Sequence, residues 1–223
     1  MLGTIINSAS ILIASLAGVL IGERLNEGLR GALMNVLGLP VILIGLQMAL
    51  KTENVLIPTL SVALGVIFGE LLGIEERLEK IGRALEVRLK RGRFTEGFVT
   101  ATLLYCVGPM AILGPMQEGL TGDSSILLAK SMLDGVASIV LASALGIGVA
   151  FSALSVLLYQ GSFFLLASRL SSLMSEMMIK EFTATGGLLI VAIGINLLEL
   201  RKLRVGNMLP ALLIAPLATF FFF

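Results

Sequence analysis

SSILLAKSMLDGVASIVLASALGIGVAFSALSVLLYQGSFFLLASRL runs from Ser124 to Leu170, 47 residues in which Lys130 and Asp134 are the only charged residues before Arg169. As a single helix it would extend about 70 Å at about 1.5 Å per residue. That is more than twice a bilayer core of about 30 Å, so the stretch is too long for one membrane span and long enough for two. Gly146 and Gly148 mark the break, and the pattern predicts two spans, Ser125–Leu145 and Val149–Leu166.

The rest of the 223-residue chain has the same character. Hydrophobic residues make up 57%, charged residues 14%, and mean hydropathy is +1.00. A soluble domain carries about 25% charged residues, so a water-soluble globule and a disordered chain are both excluded. Sixteen Lys and Arg against fifteen Asp and Glu leave no basic excess for nucleic acid. With one cysteine, Cys106, there is no internal disulfide. With no histidine, zinc sites and Ser-His-Asp chemistry built on imidazole are absent, and no G-x-S-x-G nucleophile motif occurs. The expectation is an all-α polytopic helix bundle that is not an enzyme and needs no cofactor or metal. Met-rich Ser171–Glu181 reads as an interfacial helix rather than a soft-metal site.

Six further stretches approach the about 20 apolar residues that a span requires: Ile5–Ile21, Leu33–Leu50, Leu56–Leu72, Phe98–Leu113, Thr183–Leu198 and Met208–Phe223. Eight spans are therefore expected. No basic residue precedes the first and no small-residue cleavage site follows it, so it does not read as a signal peptide. Between the third and fourth lies GIEERLEKIGRALEVRLKRGR (Gly73–Arg93), where Ile74, Leu78, Ile81, Leu85 and Leu89 recur at helical spacing with charges between them. It reads as an amphipathic helix on the membrane surface or as a solvated linker helix. Basic residues collect on the cytoplasmic side. With this stretch inside, twelve Lys and Arg fall inside and three (Lys51, Arg169, Lys180) outside, which places both termini outside.

GLPVILIGLQMALKTENVLIP from Gly38 and GLLIVAIGINLLELRKLRVGNMLP from Gly187 share an ordered pattern. Gly45 matches Gly194, the amide Gln47 matches Asn196, and Pro58 matches Pro210. Upstream, SILIASLAGVLIGERL from Ser10 resembles SVLLYQGSFFLLASRL from Ser155. Spans one to three thus resemble spans six to eight, and the odd offset of five spans gives the two copies opposite orientations. The expected organisation within residues 1–223 is a first repeat at 1–73, the amphipathic helix at 74–93, central spans at 94–145 and a second repeat at 146–223. Inverted repeats are a usual plan of secondary transporters, with the site near the midplane. Glycines at four-residue spacing (Gly18 and Gly22; Gly65, Gly69 and Gly73) permit close helix packing, within one chain or between copies in a homo-oligomer.

LYCVGPMAILGPMQEGLTGDSSILLAKSMLDG (Leu104–Gly135), followed by EFTATGGLLIVAIGINLLELRKLRVGNMLPALLIAP (Glu181–Pro216), resembles the YqgA/YdfK-like family of bacterial inner-membrane proteins. The resemblance covers essentially the whole chain. It implies a multi-pass protein of the prokaryotic cytoplasmic membrane, in a family of unknown function discussed only in terms of sodium-driven export or a channel. It supplies no substrate and no functional residue.

Candidate residues therefore come from the physics of the spans. Asp134 lies about 15 Å into span five, near the bilayer centre, where a charge costs about 2.5–3.5 kcal/mol. Lys130, four residues earlier, shares its helix face. The pair reads as a coordinating carboxylate with a modulating lysine, or as a self-neutralising ion pair. Gly108-Pro109 and Gly114-Pro115 fall at the end of span four, where each proline removes an amide donor and strains the preceding turn. They predict an unwound or re-entrant stretch able to coordinate an ion or solute, with Gln117 and Glu118 just beyond, or an ordinary exit loop. Gln47 and Asn196 are kept as the matched amides, whose plainer role is interhelical bonding. Thr183–Gly187 reads as the start of span seven, with free amides. The expected partners are the lipid bilayer and a small ion or polar solute. The leading function is a secondary transporter or channel, and the alternative is a non-transporting membrane scaffold or regulator.

Overall fold

A computed structural model describes residues 1–24, 27–77, 80, 94–107, 109–170 and 175–222. Its helices are α1 (Leu2–Gly22), α2 (Glu27–Ala49), α3 (Leu56–Leu72), α4 (Phe94–Cys106), α5 (Pro109–Thr121), α6 (Ser125–Leu145), α7 (Gly148–Leu165), the four-residue α8 (Ala167–Leu170), α9 (Glu176–Leu197) and α10 (Ala211–Phe222), with a 3-10 turn at Val205–Met208. Among the described residues, α1, α6, α7 and α9 are long and apolar enough to cross a membrane. Helices α4 and α5, bent by 56° at their junction, make a fifth candidate. Three shorter apolar helical stretches occupy Gly38–Ala49, Leu56–Leu72 and Val205–Thr219.

The long apolar stretch divides where its glycines stand. Helix α6 ends at Leu145, and Gly146 takes φ +81° and ψ −159°, a conformation that a Cβ would oppose. Helix α7 restarts at Gly148. Two expectations are corrected. Thr183–Gly187 does not open a span: α9 begins at Glu176, where the Ser175 hydroxyl accepts the Met178 amide at 3.2 Å. That cap moves the helix start two turns earlier and leaves Thr183–Gly187 inside the helix, with its amides engaged in the helical ladder. Likewise, of the two prolines, Pro109 begins α5 and Pro115 does not mark a break. Pro115 lies inside α5, so Gly114-Pro115 is not unwound. The predicted helix at 74–93 falls mostly outside the described residues.

The chain forms two compact units, Met1–Leu33 with Arg83–Leu173, and Met34–Gly82 with Met174–Phe223. In the first, α1 packs on α6 and α7. A Cβ on Gly3 would lie 2.8 Å from Leu127 Cβ, and Gly18 and Gly22 abut the carbonyl oxygens of Ile139 and Ser143. These contacts advance together along both helices, so α1 and α6 run parallel. Against α7 the order reverses, with Ser8 Oγ bonded to the Ala153 carbonyl and Asn7 to Gln160, so α1 and α7 are antiparallel. Outward-facing α1 and α6 residues such as Ile13, Leu20, Met132 and Val136 are apolar.

In the second unit the end of α2 crosses α9 through four glycines. A Cβ on Gly38 would lie 2.9 Å from the Gly194 oxygen, and one on Gly194 2.9 Å from the Gly38 oxygen. Gly45 and Gly187 meet in the same reciprocal way, at 2.8 and 2.6 Å. Helix α3 lies antiparallel to α10 and the 3-10 turn, with Gly65 on Ala211 and Gly69 on Asn207. Gly18, Gly22, Gly65 and Gly69 are therefore packing surfaces between helices of one chain, whereas Gly73 instead ends α3 in the left-handed conformation at φ +62°, away from any neighbouring helix. Four of the helical hydroxyls are absorbed locally: Ser131, Ser143, Ser152 and Thr183 each donate to a carbonyl three or four residues back.

Candidate functional site

Asp134 sits near the middle of the 21-residue α6 and is only 7% exposed. One helical turn earlier, the Lys130 ammonium reaches both carboxylate oxygens, Oδ1 at 2.8 Å and Oδ2 at 2.7 Å. The i,i+4 spacing places the groups on one face, and burial strengthens their attraction by removing water. Two further residues complete the group. Asn7 of α1 donates through Nδ2 to Asp134 Oδ2 at 3.1 Å and to Gln160 Oε1 of α7 at 3.4 Å. Asn7 and Gln160 are fully buried. Their other amide atoms, Asn7 Oδ1 and Gln160 Nε2, have no hydrogen-bond partner. A buried amide atom left unpaired costs about 1–3 kcal/mol, so the group retains capacity for one more donor and one more acceptor.

Polar contacts continue around it. Ser10 Oγ donates to the Ser131 carbonyl at 2.9 Å, and Tyr105 Oη and Ser138 Oγ bond each other at 2.8 Å. Glu118 of α5 is buried and accepts from the Gly3 amide at 2.8 Å and the Thr4 hydroxyl at 3.5 Å, with the Met1 amino group at 3.2 Å. It caps the start of α1, one turn before Asn7, where a carboxylate suits the positive end of a helix.

Among the described residues, hydrogen bonds to Asp134 come from Lys130 and Asn7 and from none of the other predicted residues. Gln117 donates to Asp123 Oδ2 at 2.6 Å at an exposed turn. The Ser125 amide and hydroxyl, with Gln117, hold the Asp123 carboxyl below the usual carboxylate range. Gly114 packs on Leu127, Pro115 is buried within α5, and Pro109 is the first residue of α5, where its missing N–H removes no helical bond. Gly108 lies outside the described residues. Gln47 is exposed on α2. Asn196 closes the loop after α9, accepting the Leu203 amide at 2.7 Å and donating to its carbonyl at 2.9 Å. Gln47 and Asn196 belong to the second unit, whereas Asp134 belongs to the first.

Sequence reasoning missed Asn7 and Gln160, since one amide in an apolar helix signals only helix packing. It also undervalued Glu181 in the second unit. Glu181 is fully buried and accepts the Thr52 hydroxyl at 2.7 Å and the Glu53 amide at 2.8 Å. Beside it, Lys180 bonds Glu53 at 2.6 Å and holds that exposed carboxyl below its ordinary value. Glu70 binds Arg204 and Asn207, and Glu75 accepts the Gly206 amide at 2.6 Å. These acids bind loops to helices. Among the described residues, no three His, Cys, Asp or Glu side chains are grouped to hold a metal ion.

A family model described as "Protein of unknown function (DUF554)" matches residues 2–220. The chain belongs to that family. The "Uncharacterized membrane protein YdfK" of Bacillus subtilis strain 168 is 34% identical over 224 residues, 99% of this chain and 96% of the relative. The "Uncharacterized protein YqgA" of Escherichia coli strain K12 is 32% identical over 221 residues, 96% of this chain and 94% of the relative. No solved structure matches the chain. The resemblance read from the sequence is thus correct, and this DUF554 member is an all-helical membrane protein with apolar helices of spanning length.

Proposed function

We propose that the chain is a secondary transporter or channel for a small ion or polar solute in a bacterial cytoplasmic membrane. The observation that carries this reading is the Asn7–Asp134–Lys130–Gln160 group, contributed by three apolar helices and closed off from the surface. Charges in a membrane interior are costly and mark substrate pathways and proton relays. Replacing a buried ion pair by apolar residues is often neutral or stabilising, so fold stability alone gives little reason to keep one.

The proposal includes eight spans in two inverted three-helix repeats, and the packing supports it. Gly38 corresponds to Gly187 and Gly45 to Gly194. A two-fold relation between the copies turns the contact of Gly38 with Gly194 into that of Gly45 with Gly187, and both contacts are present with similar spacing. Each matched helix pair (α1 with α7, α2 with α9, α3 with α10) is antiparallel, as opposite orientation in the bilayer requires. In the first pair, the contact between α1 and α7 holds Asn7 and Gln160, in keeping with a site where repeats meet. A prokaryotic inner membrane accords with the bacterial relatives and with the basic bias of the loops.

The test is reconstitution into proteoliposomes with radiolabelled sodium, potassium and methylammonium, sodium being the ion that the family resemblance suggests. Wild-type protein should pass at least one faster than empty liposomes, and Asp134→Asn should abolish that flux while retaining a cooperative melt. Flux no faster than in empty liposomes, or full flux in Asp134→Asn, overturns the reading.

A further inference from the structure

The hydrogen-bonding capacity of the buried group says more about its occupant than burial alone. Asp134 carries one negative charge, and Lys130 answers it with one positive charge through both oxygens. The group is therefore electrically balanced without any ligand. A bare cation added beside Lys130 would meet an ammonium within a low-dielectric interior, so it would have to displace that ammonium. The displaced group is tethered on α6 by four flexible methylenes and can withdraw without leaving the protein.

The seat it vacates has a definite shape in chemical terms. The two Asp134 oxygens line it, and Asn7, bonded through Nδ2 to one of them, brings a further buried and unpartnered oxygen, Oδ1, to the group. A primary ammonium has three N–H donors. The Lys130 ammonium is bonded to the two Asp134 oxygens, and Asn7 Oδ1 stays unpartnered although Asn7 is fully buried. Gln160 Nε2, also fully buried, is a donor without an acceptor. An untethered ammonium is free to present its third N–H to Asn7 Oδ1. An acceptor oxygen on the same molecule would meet Gln160 Nε2 and leave the group fully paired.

We propose that this site recognises a small primary-amine solute bearing a hydrogen-bond acceptor, and that Lys130 is its built-in competitor, occupying Asp134 until the solute displaces it. This deepens the transport reading and rests on it only for the claim that the amine moves. Binding itself can be measured separately.

The experiment uses the full-length purified protein in detergent, with thermal unfolding followed at increasing ethanolamine, sodium or tetramethylammonium, all as chlorides. Ethanolamine has the three N–H donors and an acceptor hydroxyl, whereas tetramethylammonium has the charge and no donor. In wild type, ethanolamine should raise the melting midpoint more than either control, and Asp134→Asn should remove the difference. Lys130→Ala, which deletes the competitor and leaves a space, should melt lower than wild type. At several times its Kd, ethanolamine should then raise that variant by about 2–4 °C. If Lys130→Ala does not fold, the comparison of wild type with Asp134→Asn decides alone. Equal shifts from ethanolamine and tetramethylammonium, a shift from sodium only, or no shift at all would each overturn the assignment. Ethanolamine binding without flux of any solute would remove the transport reading and keep the site. Asp134-dependent flux of sodium or potassium without ethanolamine binding would do the reverse.

Discussion

Asn7 donates a 3.1 Å hydrogen bond to Asp134 across 127 residues of sequence. That bond joins α1 to α6 at the one place where α6 carries a buried charge pair, and it sets what α1 contributes to the site. A hydrogen bond between membrane helices is worth about 0.6 kcal/mol on average and up to about 1.7 kcal/mol. Asn7→Leu also leaves the buried Gln160 Oε1 unpaired, so it should cost about 1–3 kcal/mol in all. A double-mutant cycle of Asn7→Leu with Asp134→Asn should give a coupling of about 1 kcal/mol. Thermal unfolding of the four proteins measures it, and strict additivity would show that the two side chains do not communicate.

Lys130 and Asp134 should behave as a pair. Removing one partner leaves the other charged and buried, which costs about 3–5 kcal/mol. Lys130→Met and Asp134→Leu should each lower the melting midpoint sharply. The double variant should recover most of the loss while remaining without flux. Recovery of stability together with activity would remove the pair from the mechanism.

Glycine replacements separate tight from open helix contacts. Ala at Gly187 would put its Cβ 2.6 Å from the Gly45 carbonyl oxygen, a backbone atom that cannot move aside alone. Such overpacking costs about 1–3 kcal/mol. Gly161→Ala meets only the Met1 methyl, at 3.6 Å, and should be neutral or stabilise by up to about 1 kcal/mol through reduced chain entropy. Melting curves of the two variants should move in different directions or by clearly different amounts.

Glu181 receives the hydroxyl of Thr52 and the amide of Glu53. Glu181→Ala should cost about 1–3 kcal/mol by leaving those donors unpaired, with the larger effect on protease resistance of the loop after α2. Glu181→Gln keeps one acceptor oxygen and should lose less. Equal loss in the two variants would show that the carboxylate charge, rather than its acceptors, holds the loop.

Local chemistry alone determined several features. Mean hydropathy and the lengths of apolar runs set the membrane class, because a bilayer accepts only segments with few charges and internally bonded backbone. Gly146 was legible as a break, and Lys130 with Asp134 as one helix face, because both depend on neighbours within one or two turns. The tertiary structure decided the rest. An amide such as Asn7 or Gln160 looks the same in sequence whether it bonds a backbone or lines a site, and only the packing of α1 and α7 against α6 brings both to Asp134. Glu118 lies just past a Gly-Pro pair and resembles a loop acid until α5 turns it toward the start of α1. Gln47 and Asn196 match in sequence yet have different surroundings, since the side of a helix that a neighbour covers follows from contacts far apart in the chain.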